Sequence, residues 1–220
     1  MPAMFGGGGY RRPQISYTWS GTVMGPFPSG NLWRSALTGT MTPGDLAVSG
    51  GVIKETSPSG GANNGYYYSG RCYQDPMGTS LHWAEATHNN TASGAGFPRG
   101  VGVGVGGSDN AFTNGVIVVG SAFSGSGSTQ IFTKIGTTLT SQVSATTGWA
   151  TGDKIRLVIT HNGTNYAYTV FKNTSTQVAQ WVDTGNLIDP GVWTSIAFGC
   201  SWSLGYFPSH GATAFACGDN

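Results

Sequence analysis

Apolar residues in this chain recur at every second position, in short runs, and nowhere at helical spacing. The clearest case lies between Asp153 and Phe171. Ile155, Leu157 and Ile159 share one face of the first run, and Tyr166, Tyr168 and Val170 share one face of the second. His161-Asn162-Gly163-Thr164 separates the two, and its Asn-Gly pair supplies the positive φ angles of a tight hairpin turn. Runs of the same kind, bounded by Gly, Asn, Ser and Pro, predict strands at Leu46–Glu55, Gly65–Tyr73, Ser80–Ala86, Val101–Val105, Val116–Phe123, Gln130–Ile135, Val178–Val182, Ser195–Trp202 and Ala212–Cys217. Roughly eleven strands are more than one twisted open sheet holds easily, so an all-β, two-sheet antiparallel β-sandwich is expected.

Composition decides whether such a chain folds. Only 9% of residues are charged and 37 of 220 are Gly, against roughly 25% charge and about 7% Gly in ordinary domains. Disordered chains share low hydrophobicity but lack large rings, whereas this one has 7 Trp, 9 Tyr and 10 Phe. Residues 29–220 are therefore read as one sandwich domain. Residues 1–28 hold four consecutive glycines, four prolines and Arg11-Arg12, with no periodic apolar pattern, and are read as an extended arm. Its large groups, among them Phe5, Tyr10, Tyr17 and Trp19, suit packing against a partner; Phe5, Tyr10, Arg11 and Arg12 are the expected docking residues.

The strand Gly100–Gly107 alternates Gly with Val101, Val103 and Val105, leaving one face without side chains. A backbone, a sugar ring or a neighbouring subunit can approach such a face closely, and a bend or bulge is the plainer reading.

Several classes of function are excluded or disfavoured. With a net charge of +1 and its acids and bases scattered singly, the chain has no basic stripe for a nucleic-acid backbone. No apolar run approaches the ~20 residues of a membrane span, and MPAMFGGGGYRRP lacks an apolar signal-peptide core, so a soluble, non-exported protein is expected. Cys72, Cys200 and Cys217 are odd in number and show neither disulfide nor zinc spacing, although a Cys200–Cys217 bridge stays open. His82 and His88 flank Trp83 and Glu85, but six residues of strand set them about 20 Å apart, so surface or turn histidines are expected rather than a metal pair. Calcium has local candidates in Asp109-Asn110 and in Asp183 with Asp189; no loop signature surrounds them, so no cofactor or metal is expected. Ser209-His210 and Asp219 lack a nucleophile elbow. The only glutamates, Glu55 and Glu85, stand in unrelated contexts, against the paired carboxylates that glycoside hydrolysis needs.

Aromatic clusters are the remaining signal. Tyr66, Tyr67 and Tyr68, then Trp83, then Tyr206 and Phe207, sit beside Gly, Asn and Ser, as a sugar-stacking surface would. They are the candidate carbohydrate-binding residues. Strand alternation sends half of such residues inward; Trp202, in phase with Ile196, Phe198 and Cys200, is read as core and Tyr206 as exposed.

The order of landmarks resembles the concanavalin A-like lectin/glucanase jelly rolls. Asn31-Leu32-Trp33, then Asp45 and Val48-Ser49-Gly50-Gly51-Val52, is similar to that family's opening, in which a Trp-bearing turn precedes a Gly-Gly hairpin. Trp149-Ala150-Thr151-Gly152-Asp153-Lys154-Ile155-Arg156-Leu157, Tyr168-Thr169-Val170-Phe171-Lys172-Asn173 and Trp181-Val182-Asp183 follow its later strands, and Ala212–Asp219 looks like its closing strand. The likeness covers residues 27–220. Within the fold, the arm and the scarcity of charge most resemble minor tail proteins of phages of mycobacteria and related actinobacteria. The resemblance implies a non-enzymatic virion structural protein, in the tail rather than the head, made in the host cytoplasm. Its expected partners are other virion proteins, further copies of itself and host envelope polysaccharide. A capsid decoration protein, a free carbohydrate-binding module and a glycoside hydrolase are the alternatives.

Overall fold

The computed structural model describes residues 14–36, 45–56, 65–89, 100–121, 127–202, 206–207 and 211–220, without the side chains of 36, 65–67, 200–202 and 206–207. Its strands are β1 (Ile15–Thr18), β2 (Leu32–Ala36), β3 (Leu46–Ser49), β4 (Val52–Glu55), β5 (Gly65–Cys72), β6 (His82–Asn89), β7 (Gly100–Gly107), β8 (Asn114–Ser121), β9 (Ser128–Ile135), β10 (Thr138–Thr146), β11 (Lys154–His161), β12 (Tyr166–Lys172), β13 (Thr176–Asp183), β14 (Trp193–Trp202), β15 (Tyr206–Phe207) and β16 (Gly211–Asp219). One 3-10 turn, Ser29–Asn31, is the helical element among the described residues.

The strands form two eight-stranded antiparallel sheets. Sheet I runs β13-β12-β11-β6-β16-β4-β3, with β1 also on β16; sheet II runs β10-β9-β8-β7-β14-β5-β2, with β15 on the end of β14. The expected two-sheet sandwich is the architecture observed. Between the sheets lies one continuous core. Sheet I contributes Ile53, Ala84, Ala86, Ile155, Leu157, Ile159, Tyr168, Phe215 and Cys217, and sheet II contributes Val101, Val103, Val105, Val116, Val118, Ile131, Ile196 and Phe198. Period-two alternation in each strand is what points these groups inward together.

The hairpin read around Asn162-Gly163 is present, with His161 opposite Tyr166. Of the pair, Gly163 alone takes positive φ, at 94°. Asn162 instead caps the turn through Oδ1, which accepts from the N–H groups of Thr164 and Asn165. Gly50 and Gly51 both take positive φ, 59° and 77°, and join β3 to β4 with Ser49 opposite Val52.

The expected boundary at residue 28 does not match the fold. Ile15–Thr18 pair with Ala214–Cys217 as β1, and Trp19 and Phe27 are buried in the main core. The ring of Phe27 meets that of Phe215 edge-on at 5.0 Å, and its carbonyl accepts from Arg71 Nη1 at 3.1 Å. Gly25, at φ 63°, lets the Tyr17 ring cross it where any Cβ would collide. Residues 14–28 thus belong to the sandwich; burying large rings offsets the entropy of fixing a glycine-rich segment. Phe5, Tyr10, Arg11 and Arg12 lie outside the described residues.

Candidate functional site

The outer face of sheet II is closed by its own side chains. Trp33, Tyr68, Cys72, Phe112, Ile117, Val119, Phe132, Leu139 and Ala197 form a second buried cluster there. The bare glycine face of β7 is its bed. A Cβ on Gly104 or Gly107, or on Gly115 of β8, would stand 2.5 to 2.7 Å from the Phe112 ring. Phe112 is fully buried at φ 51°, an uncommon conformation for a bulky residue, and Trp33 stacks on it at 5.8 Å. The close approach foreseen at these glycines is therefore made by an aromatic ring of the same chain.

The loop that carries Phe112 is pinned from both sides. Asp109 Oδ1 accepts from the backbone N–H of Ala111 and Thr113, and Lys134 Nζ donates to the carbonyls of Thr113 and Gly136. Burial pushes the Cys72 thiol pKa up, so it stays protonated. Tyr68 packs against Phe132 at 5.0 Å and is 3% exposed; as a sugar platform it is ruled out by this packing.

Other expected residues also turn inward. His82 and His88 are fully buried on the inner face of β6, not on a surface or turn, because positions 82, 84, 86 and 88 share that face. His82 donates Nδ1–H to the Thr79 carbonyl at 2.9 Å and accepts from the Gly106 N–H at Nε2, 3.1 Å. Burial lowers its pKa to about 4, holding it neutral. Asp183 accepts from the N–H groups of Leu187 and Ile188. It and Asp109, both considered for calcium, thus cap turns, and no cluster of three metal-ligating side chains occurs among the described residues. Cys72 and Cys217 are buried thiols.

Register gathers the other aromatic candidates at one corner of sheet II. Phe207 pairs with Ser201, which pairs with Tyr66; Tyr206 pairs with Trp202, and Tyr67 with Cys200. Their side chains lie outside the described residues.

The outer face of sheet I is built differently. Pairing aligns Ser16, Ala216, Glu85 and Arg156 in one row across β1, β16, β6 and β11, and Thr18, Ala214, Thr87 and Lys154 in the next. These two rows, up to but not including Arg156, line a trough of about 300 Å³ that Gln14 also borders. Its floor is low because the central strand β16 offers only methyl groups, from Ala214 and Ala216. Ser16 and Thr18 form one wall, exposed since their neighbours Ile15 and Tyr17 turn into the core.

Glu85, Thr87 and Lys154 form the other wall, and Arg156 and Trp83 lie just beyond it on the same outer face. The Glu85 side chain is 8% exposed and its Oε1 lies 3.2 Å from Lys154 Nζ, while Oε2 has no hydrogen-bond partner among the described residues. Arg156 lies flat on Trp83, 3.7 Å from the ring centroid, and its Nε also lacks a partner. Trp83, 5% exposed, is therefore the platform that orients the guanidinium and not a bare stacking surface. A buried, half-satisfied carboxylate is costly, and a ligand hydroxyl would complete it. Glu85, Lys154 and Arg156 escaped sequence reasoning as a group because Lys154 lies 69 positions after Glu85. The signal was present in Trp83-Ala84-Glu85 and Lys154-Ile155-Arg156, each polar or amphipathic at alternate positions.

Comparison with known proteins places this architecture. No protein-family model matches the chain, and no curated protein matches it by sequence. Solved structures do match. The carbohydrate recognition domain of Emp47p superposes with a TM-score of 0.54 at 10% identity, covering 91% of this chain and 100% of that one. The fold is a lectin-like sandwich. The CBM2 module of the evolved Dit of Lactobacillus casei BL23 phage J-1 matches with a TM-score of 0.52 at 10% identity, covering 94% of each chain. At such identity the lectin-like sandwich is shared as a fold, and its chemistry has to be argued from its own residues.

Proposed function

We propose that the protein is a non-enzymatic carbohydrate-binding component of a phage tail, and that sugar binds in the trough on sheet I. The observation that carries this reading is the Glu85 carboxylate, buried in the trough wall with one oxygen unpartnered. Sugar sites supply a few fixed polar groups in a concavity, and the trough offers a carboxylate acceptor, a cationic donor on the same wall and hydroxyls opposite. Hydrolysis needs a second carboxylate facing the first. Glu55, the other glutamate, is buried and hydrogen-bonded to Ser69 at 3.2 Å, on a strand that borders β16 from its far side.

The phage setting is supported by the likeness to the CBM2 module of the phage J-1 Dit and by the low charge with dense aromatics, which suits protein contacts within a particle. Other virion proteins and further copies of the chain are the partners in this reading, with residues 1–13 as the docking segment. The test is binding of the protein to immobilised envelope polysaccharide from candidate hosts, wild type against Glu85→Gln. Retention of wild type and loss for the variant is expected. Equal retention of both would remove the trough as the site, and immunogold labelling confined to heads would remove the tail assignment.

A further inference from the structure

Resting on the carbohydrate reading, we infer that the trough selects an acidic saccharide, with a sugar hydroxyl donating to Glu85 Oε2 and a carboxylate or phosphate substituent seated against Arg156. Within the trough lining Lys154 and Glu85 balance each other, and the facing wall of Gln14, Ser16 and Thr18 carries no charge. Arg156, opposite Glu85 at the end of the same row, adds an uncancelled cation beside the trough. Lys154 already satisfies Glu85 Oε1. Arg156 has no ion pair among the described residues, although its guanidinium is fixed on Trp83.

A planar cation held by one face on an indole keeps its in-plane N–H groups for an acceptor, and guanidinium geometry matches carboxylate and phosphate oxygens. The unpartnered Arg156 Nε and Glu85 Oε2 lie one strand apart in the same row. One needs an acceptor and the other a donor. A neutral sugar supplies the second need alone and a free inorganic anion the first alone; a sugar ring with an anionic substituent supplies both. Lys154, half exposed, is the movable group over Glu85. Its exposed ammonium can swing back into solvent, which leaves both Glu85 oxygens to ligand hydroxyls. The floor favours a chain over a single ring: Ser16 to Thr18 with Gln14 spans about 13 Å of strand.

The experiment is isothermal titration calorimetry on the full chain with four probes: tetragalacturonate, its methyl ester, a glycerol phosphate oligomer, and inorganic phosphate. Tetragalacturonate is expected to bind at least tenfold more tightly than its ester, and the glycerol phosphate arm decides whether phosphate serves in place of carboxylate. Arg156→Gln should abolish the preference while leaving residual binding to both uronate probes. Arg156→Lys, which keeps the charge without the planar fork, should weaken it. Equal affinity for acid and ester would overturn the acidic selection and leave carbohydrate binding standing. Binding of inorganic phosphate with no saccharide binding would reduce the trough to an adventitious anion site and overturn both. If saccharides bind and neither Glu85→Gln nor Arg156→Gln changes their affinity, the site lies elsewhere and both readings of the trough fall. Should Arg156→Gln fail to fold, the acid against ester comparison on wild type still decides.

Discussion

The two sheets treat their outer faces in opposite ways. On sheet II the glycines of β7 and β8 leave a bed with no side chains, and Phe112 fills it with Trp33 stacked on its ring. On sheet I the small residues of β16 leave a comparable depression, and no apolar ring among the described residues fills it; its rim is Glu85, Lys154, Ser16 and Thr18, with Arg156 just outside. Small residues alone therefore do not make a site. What distinguishes the two is whether a large ring from a nearby loop can reach the hollow, and whether the polar groups at its edge are already satisfied. Lys134 and Asp109 on sheet II have backbone partners, whereas Glu85 and Arg156 on sheet I each keep one atom without a partner.

The contrast can be broken most forcefully at Phe112. Phe112→Ala empties the glycine bed and should cost about 3–5 kcal/mol in chemical denaturation, with saccharide affinity unchanged once corrected for folded fraction. A loss below 1 kcal/mol would mean that the closed face is not part of the stabilising core.

Next in size is a titration that separates the two faces of β6. Its outward Glu85 belongs to the trough, while its inward His82 has a folded pKa lowered to about 4, chiefly by burial. The unfolded chain binds that proton near 6.5, so between about pH 6.5 and 4 the unfolded state holds more protons and stability falls as pH falls. The decline should approach 3 kcal/mol, at roughly 1.4 kcal/mol per pH unit of displacement, and be absent above pH 7. Unfolding midpoints followed against pH in wild type and His82→Gln test this. A variant whose midpoint falls with the same slope would assign the decline to other groups.

Smaller effects are expected on the open face. Trp83→Phe keeps an aromatic platform but weakens the cation–π contact to Arg156, for a stability loss of about 1 kcal/mol and a clear loss of acidic-saccharide affinity. Glu85→Gln should change stability by less than about 1 kcal/mol, since the ion pair lost is partly exposed and a buried charge is relieved. Its effect should appear in binding. A large fall in melting temperature for Glu85→Gln would make Glu85 structural and erase the contrast between the sheets.

Legibility in the sequence followed the same divide. The hairpin from Lys154 to Lys172 and the valine face of β7 were readable because alternation there is clean and the turn residues are diagnostic. Strand β10, Thr138–Thr146, was missed because it alternates Thr, Ser and Gln with few apolar residues on an edge where little burial is required. The strand in Ile15–Thr18 was hidden among glycines and prolines, and its stability comes from β16, nearly two hundred positions later. Of the candidate aromatics, Tyr68 and Trp83 read as sugar-stacking residues, but composition cannot distinguish a ring that meets a ligand from one that meets Phe132 or Arg156. The trough was illegible for a more basic reason. Its two rows run across four strands, and only register brings Ser16, Glu85 and Arg156 into line.

Strand β16 comes later in the chain than every strand it joins, and β1, β4 and β6 all flank it. During synthesis, sheet I must therefore wait with a gap at its centre while sheet II can already pair β7 through β10. Until β16 arrives, β6 presents an open edge of the kind that recruits foreign strands. The trough, whose floor is β16 itself, is the last part of this sandwich to be completed. Ligand competence should thus lag behind secondary structure in refolding, and a saccharide that binds only the finished trough would report completion of the chain's slowest, most non-local step.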